Sequence, residues 1–220
     1  LISKNVTNNK KTLAVRFPKK DITIKLLRSI NYPLAAPSAN ISTKISPITK
    51  GDVKEEFGKK IKFILDGGRS EIGLESTIIS LINKPKILRL GGIEISKIKK
   101  TLGSKIEYSP KDKKIASPGQ GKVHYSPGIR IRLNIKIPKK DEAFILIKKR
   151  KNYGKNYFYL TKNENLKEAA KNLYKTLRMI KKKNFKSIAV EKIPDKSFGQ
   201  AINDRLNRAS KFQWKILLKL

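Results

Sequence analysis

The 220-residue sequence contains no cysteine and only one histidine, one methionine and one tryptophan. Without cysteine there can be no disulfide and no thiolate metal site, which fits a reducing compartment and points to the cytoplasm. A single histidine, His124, makes a zinc site built on imidazoles untenable. No histidine stands near the hydroxyl-bearing segments to serve as a base, so a Ser–His–Asp hydrolase is disfavoured. No run of eighteen apolar residues occurs, so no membrane-spanning helix is indicated and no membrane partner is expected. The start, LISKNVTNNKK, lacks the apolar stretch of a secretory signal. There is no G-x-x-x-x-G-K-[ST] loop, so any nucleotide must be held by another cradle.

Acidic residues are also scarce. Seventeen Asp and Glu face 52 Lys and Arg, a formal net charge of +35. That balance resembles a nucleic-acid footprint. Only ten of the basic residues are arginine, however, and the lysines are spread along the chain with few aromatics between them. No platform for stacking bases is visible. Attraction to RNA is expected as a generic electrostatic effect. The alternative it leaves open is a non-catalytic basic RNA-binding or nucleotide-binding regulatory module.

What the chain does have is a dense set of small and hydroxyl residues between Ala35 and Gly92, on turns between short apolar runs. Ile61–Leu65, Thr77–Ile82 and Lys86–Leu90 read as strands rich in β-branched residues. Thr12–Phe17 and Leu34–Ala36 read likewise. Asp21–Ile30, Thr49–Phe57 and Ile95–Leu102 read as helices, the first with Asp21 as a candidate N-cap and the last ended by Gly103. Beyond Ile106 the stretch PGQGKVHYSPG is rich in proline and glycine and reads as a linker or long ordered loop. A second unit follows, with strands at Ala143–Lys148, Asn156–Leu160 and Ser187–Val190. Its helices are an amphipathic Asn165–Lys182 and a final Ala201–Lys211. This alternation implies parallel pairing in an α/β sandwich. The organisation expected is therefore 1–106, a linker or lid at 107–140, and a small α/β domain at 141–220.

Four short segments stand in order: Pro37-Ser38-Ala39-Asn40 with Ser42 and Ser46-Pro47; Glu75-Ser76-Thr77-Ile78; Leu88-Arg89-Leu90-Gly91; and Pro118-Gly119 with His124-Tyr125-Ser126-Pro127. In this order and spacing they resemble the threonylcarbamoyl-AMP synthase family, the YrdC-like enzymes. The C-terminal GQAINDRLNRAS is similar to the end of that family's long form. The resemblance covers most of the chain. It implies the C-terminal part of a YrdC-like twisted α/β domain, a Pro/Gly-rich linker, and a small Rossmann-like domain. It departs from the family pattern at Thr43, where the family has Gly, at Ser80 in place of Asp, and at Leu90 in place of Pro.

The activity implied is synthesis of threonylcarbamoyl-AMP and pyrophosphate from L-threonine, bicarbonate and ATP, with Mg²⁺ neutralising the polyphosphate. The product would feed a tRNA adenosine modification carried out with partner proteins. By resemblance, ATP is met by Thr12, Ser38, Asn40, Ser46, Arg89 and Tyr125, and L-threonine by Arg16, Ala36 and Ser76. No side chain is assigned a catalytic proton-transfer role, and none a metal. Read from residue type alone, Arg16 is a solvated strand end, Ser38 and Asn40 cap a turn, Ser46 caps a helix, and Arg89 is a surface cation. Asp204-Arg205 reads as an ion pair or a domain-interface contact. The family's usual opening segment, with a phosphate-gripping lysine and arginine, does not precede Thr12. The chain is thus expected to be an N-terminally shortened fragment, inactive alone. The loop at Glu107–Gly128 is expected to act as a mobile lid that carries Tyr125 onto the site.

Overall fold

A computed structural model of the chain describes residues 2–103, 106–108, 124–151 and 154–211. In the first unit, a short helix α1 (Lys4–Thr7) is followed by α2 (Asp21–Arg28) and α3 (Lys50–Phe57). Strands β1 (Ile78–Ser80) and β2 (Lys86–Arg89), helix α4 (Ile95–Leu102) and strand β3 (Glu107–Tyr108) come next. These strands form one sheet in the order β1-β2-β3, antiparallel between β1 and β2 and parallel between β2 and β3. The second unit holds β4 (Arg130–Arg132), β5 (Ala143–Lys148), β6 (Tyr157–Thr161), α5 (Leu166–Lys182), β7 (Ser187–Val190) and α6 (Phe198–Ser210). Its four strands lie in the order β4-β7-β5-β6, every pair parallel.

The strength of each local signal explains which elements form. Thr49 starts α3 with a full capping box: its hydroxyl accepts from the Asp52 N–H, and the Asp52 carboxylate accepts from the Thr49 N–H. Asn165 caps α5 from one side only, its Oδ1 accepting from the Glu168 N–H. In α2 the cap position is Lys20, and Asp21 is the first helical residue, where its charge favours the helix N-terminus. α6 opens three residues earlier than Ala201, because Ser197 turns the chain at a positive φ of 49°.

β5 is the central apolar strand. Ala143, Ile145 and Ile147 face the main core beneath α5 and α6, and Phe144 and Leu146 face a smaller cluster with Ala189, Tyr157 and Tyr159. A strand covered on both faces reads as an unbroken apolar run, as AFILI does. The main core is shared between the units. Ile45, Ile48, Leu74, Ile87 and Leu90 belong to one cluster with Leu173, Tyr174, Leu177 and Leu206.

Three expected strands do not form. Thr12–Phe17, Leu34–Ala36 and Ile61–Leu65 run as extended or irregular chain, and no residue from 2 to 44 is buried. Phe17 is 92% exposed and Phe63 91%. A strand exists only where a neighbour completes its hydrogen-bond ladder, and among the described residues these segments have none. Within 107–140, Glu107–Tyr108 and Arg130–Arg132 are strands of the two sheets, so the start and a later stretch of the expected linker belong to folded layers. The lid expectation, and Pro118-Gly119, fall mainly on 109–123, outside the described residues.

Candidate active site

Glu75 lies at the entrance to β1, and its carboxylate is one place where the two units meet. It accepts a hydrogen bond from Ser46 Oγ at 2.6 Å, from the Tyr174 hydroxyl at 2.9 and 3.1 Å, and from Arg205 Nε at 3.0 Å. Ser46 comes from the segment before α3, Tyr174 from the middle of α5, and Arg205 from α6. Arg205 is 1% exposed and also pairs with Asp204 at 3.0 Å, while Asp204 in turn holds Arg208 at 2.9 Å. Burial alone would raise the Glu75 carboxyl. The Arg205 charge and the bonds from Ser46 and Tyr174 outweigh it and hold Glu75 below its ordinary value, so it stays ionised. Burial would likewise weaken the Arg205 guanidinium, but the surrounding Glu75, Tyr125, Tyr174 and Asp204 raise it. The Tyr174 hydroxyl is pushed well up by burial and then by Glu75, so it stays protonated and donates.

The next residue, Ser76, is exposed. Arg89 reaches back along the paired strands and donates from Nε to the Ser76 carbonyl at 3.0 Å and from Nη2 to Ser76 Oγ at 3.3 Å. Gly91 completes this corner: a Cβ there would lie 2.3 Å from Glu75 O and Thr77 N, so only glycine lets the two backbones approach.

Tyr125 closes the other side. It is 1% exposed and adopts a φ of 63°, a conformation that a bulky residue holds only when its surroundings impose it. The Arg205 guanidinium sits 5.0 Å from the centre of its ring, and the Tyr174 ring stacks at 6.1 Å. Its own N–H donates to His124 Nδ1 at 3.1 Å, which leaves that nitrogen as an acceptor. Burial, then the net effect of Arg205, Arg208 and Arg89 against Glu75, keeps His124 below its ordinary value and neutral. Ser126 then docks on the segment after Asn40, its N–H donating to the Thr43 carbonyl at 2.9 Å, with a parallel bridge to Lys44. Asn40 spans that turn, its Nδ2 donating to Ile41 O and Lys44 O, and its buried Oδ1 has no partner among the described residues.

The structure therefore brings Ser46, Ser76, Arg89 and Tyr125 together around Glu75. Asn40 joins them through the Lys44–Ser126 bridge. Thr12, Arg16, Ala36 and Ser38 lie on exposed chain, outside this hydrogen-bonded cluster. Residue type gives Glu75 no role beyond its place in the Glu75-Ser76-Thr77 segment, reads Arg205 only as an ion pair or a domain-interface contact, and is silent on Tyr174. The one signal available for Tyr174 is its place beside Leu173 on the apolar face of α5. Arg205 proves to be both an ion pair within its helix and a contact across the two units.

Among the described residues no group of three or more His, Cys, Asp or Glu side chains could hold a metal ion, and no helix is long and apolar enough to cross a membrane.

Comparison with known proteins bears on both units. A family model described as telomere recombination matches residues 1–91, and one described as threonylcarbamoyl-AMP synthase, C-terminal domain, matches 93–211. The chain is 34% identical over 97% of its length to the threonylcarbamoyl-AMP synthase of Pyrococcus abyssi, covering 68% of that protein. It is 31% identical over 95% of its length to that of Bacillus subtilis, covering 66% of it. Among solved structures it is similar to the crystal structure of P. abyssi Sua5 complexed with L-threonine. The TM-score is 0.83 at 31% identity, over 96% of this chain and 68% of that one.

Proposed function

As the chain belongs to the threonylcarbamoyl-AMP synthase family of enzymes, we propose that the protein joins L-threonine, bicarbonate and ATP into threonylcarbamoyl-AMP, releasing pyrophosphate. The observation that carries this reading is the convergence of Ser46, the Glu75-Ser76 corner, Arg89 and Tyr125 at one place. The synthesis needs donors and cations that can meet an amino-acid carboxylate and a polyphosphate without supplying a nucleophile of their own. Ser76, an exposed residue whose Oγ accepts from Arg89, suits recognition of threonine. Arg89, Ser46, Asn40 and Tyr125 suit the nucleotide, with Thr12 and Ser38 on the chain leading to them. Arg16 and Ala36 complete the threonine side of this assignment.

In the reaction, threonine nitrogen and bicarbonate give the carbamate with loss of water. A carbamate oxygen then attacks the α-phosphorus as the bond to the β-phosphate breaks, and pyrophosphate leaves. The chain's part is to hold the two reactants in line and to neutralise charge. Magnesium would enter with the ATP as part of the substrate and would neutralise the charge of its polyphosphate. The product would serve tRNA adenosine modification by partner proteins in the cytoplasm.

The test is pyrophosphate release by the protein in its full natural length. Release should require threonine, bicarbonate and ATP together. Release without threonine would overturn the assignment.

A further inference from the structure

The C-terminal unit contributes two side chains to a cluster that otherwise belongs to the first unit. Tyr174 and Arg205 stand 99 and 130 residues from Glu75 in sequence, yet both bond its carboxylate. They are more than ballast in a shared core. Glu75 is held by three donors, the hydroxyls of Ser46 and Tyr174 and Nε of Arg205, and the chain passes from it directly to Ser76, whose carbonyl and hydroxyl in turn hold Arg89. The same guanidinium that fixes Glu75 covers the ring of Tyr125. Tyr125 sits in a backbone conformation that it would leave if that packing were lost. One buried cation therefore fixes the strand entrance that presents Ser76 and the loop that presents Tyr125. An ammonium could carry the charge, but not the combination of a directed Nε–H bond and a flat face on the ring.

We propose that Tyr174 and Arg205 are positioning residues for the synthesis: by fixing the Glu75 carboxylate and the Tyr125 ring, they set where Ser76 and Arg89 present their polar groups. The proposal rests on the function given above. It makes the C-terminal unit a working part of the site in the first unit, acting through Glu75 and touching no substrate itself. A site held within a fraction of an ångström by such supports loses rate when they loosen, although every substrate-facing group remains.

Tyr174→Phe deletes one hydroxyl and leaves the ring packed, and Arg205→Lys keeps the charge. Both are made in the full-length protein, alongside Glu75→Gln and the Tyr174→Phe/Glu75→Gln double variant. For Tyr174→Phe we expect kcat/KM for threonine to fall about tenfold per folded molecule, with KM for ATP within about twofold. The double variant should be no worse than Glu75→Gln alone, since both act through one carboxylate. Hydrogen exchange in the segments 74–80 and 124–128 should quicken severalfold in Tyr174→Phe and Arg205→Lys, with β5 unchanged. A purely structural role would lower the melting temperature and leave kcat/KM per folded molecule intact, and that result overturns the proposal. Unchanged exchange at 74–80 overturns it as well, whatever the kinetics. If the parent shows no threonine-dependent turnover, the functional reading fails, and the exchange measurement alone decides the positioning.

Discussion

Two residues show how differently a charge can be used in this molecule. Arg16 is exposed, on chain with no regular structure, so its removal costs the fold little. In the proposed role it meets the threonine carboxylate. Arg16→Ala should then weaken threonine use by about 1.5–3 kcal/mol while leaving ATP affinity nearly unchanged. Equal losses for both substrates, measured by steady-state kinetics on the full-length protein, would refute the assignment. Glu142 is the opposite case. It is buried at the start of β5 and accepts two bonds from Arg132, at 2.8 and 2.6 Å, and one from the Lys139 N–H at 2.9 Å. Those bonds, led by that of Arg132, hold its carboxyl down to about 2 against the cost of burial. Its folded value lies below its unfolded one, so the stability it brings is present above about pH 4.3 and fades as pH falls toward 2. Glu142→Gln should lose about 2–3 kcal/mol at pH 7, and the gap to the parent should close in acid. A gap that stayed constant from pH 7 to pH 3 in denaturant titrations would show that the pair contributes packing alone.

At the scale of elements, the turn from Asn40 to Lys44 is the informative one. Thr43 takes a φ of 73°, in the left-handed region that a β-branched residue occupies only at a cost of about 1–3 kcal/mol. The family pattern has glycine at this position, which adopts that conformation freely. The conformation is held by the Thr43 carbonyl, which accepts the Ser126 N–H and so anchors the loop bearing Tyr125, a bond that any residue here could make. Thr43→Gly should therefore raise stability by about 1 kcal/mol and keep the anchoring bond. A lower melting temperature for the variant would mean that the Thr43 side chain contributes something that the backbone strain does not reveal. The neighbouring elements explain themselves more simply. α3 and α5 carry their own caps, and β5 carries its own apolar run, so each forms where local chemistry and packing agree.

For the molecule as a whole, the largest influence that lies in no single pair of contacts is charge. The net charge of +35 is dispersed, and few carboxylates are available to answer it. Glu75, Asp204 and Glu142 are committed to buried or half-buried arginines, and Glu55, Glu56 and Asp66 to surface lysines. The surface lysine pairs bring little stability, so most of the positive charge repels itself across the surface. The melting temperature should rise as sodium chloride is raised from about 0.05 to 0.5 M, because the screening length shrinks below the spacing between cations. A fall with salt would show that the ion pairs outweigh the repulsion.

The sequence by itself determined the parallel C-terminal layer and most of its elements, with Ala143–Lys148 and Ser187–Val190 at their observed ends, and in the first unit the helix Ile95–Leu102. Periodicity, caps and a closing glycine are local signals, and a local signal is readable wherever its physics is local. The motif order also placed Ser46, Ser76, Arg89 and Tyr125 among the candidates for one site. Only the tertiary structure decided the rest. Thr12–Phe17 and Ile61–Leu65 have the composition of strands, but a ladder needs a partner, and their composition could not say that none of the described residues provides one. The joining of Glu75 to Tyr174 and Arg205 was equally invisible. A buried hydrogen bond between residues a hundred or so positions apart leaves no periodic trace at either end. Residue type reads Arg205 as an ion pair or a domain-interface contact and is silent on Tyr174, and only the fold brings both to the same carboxylate.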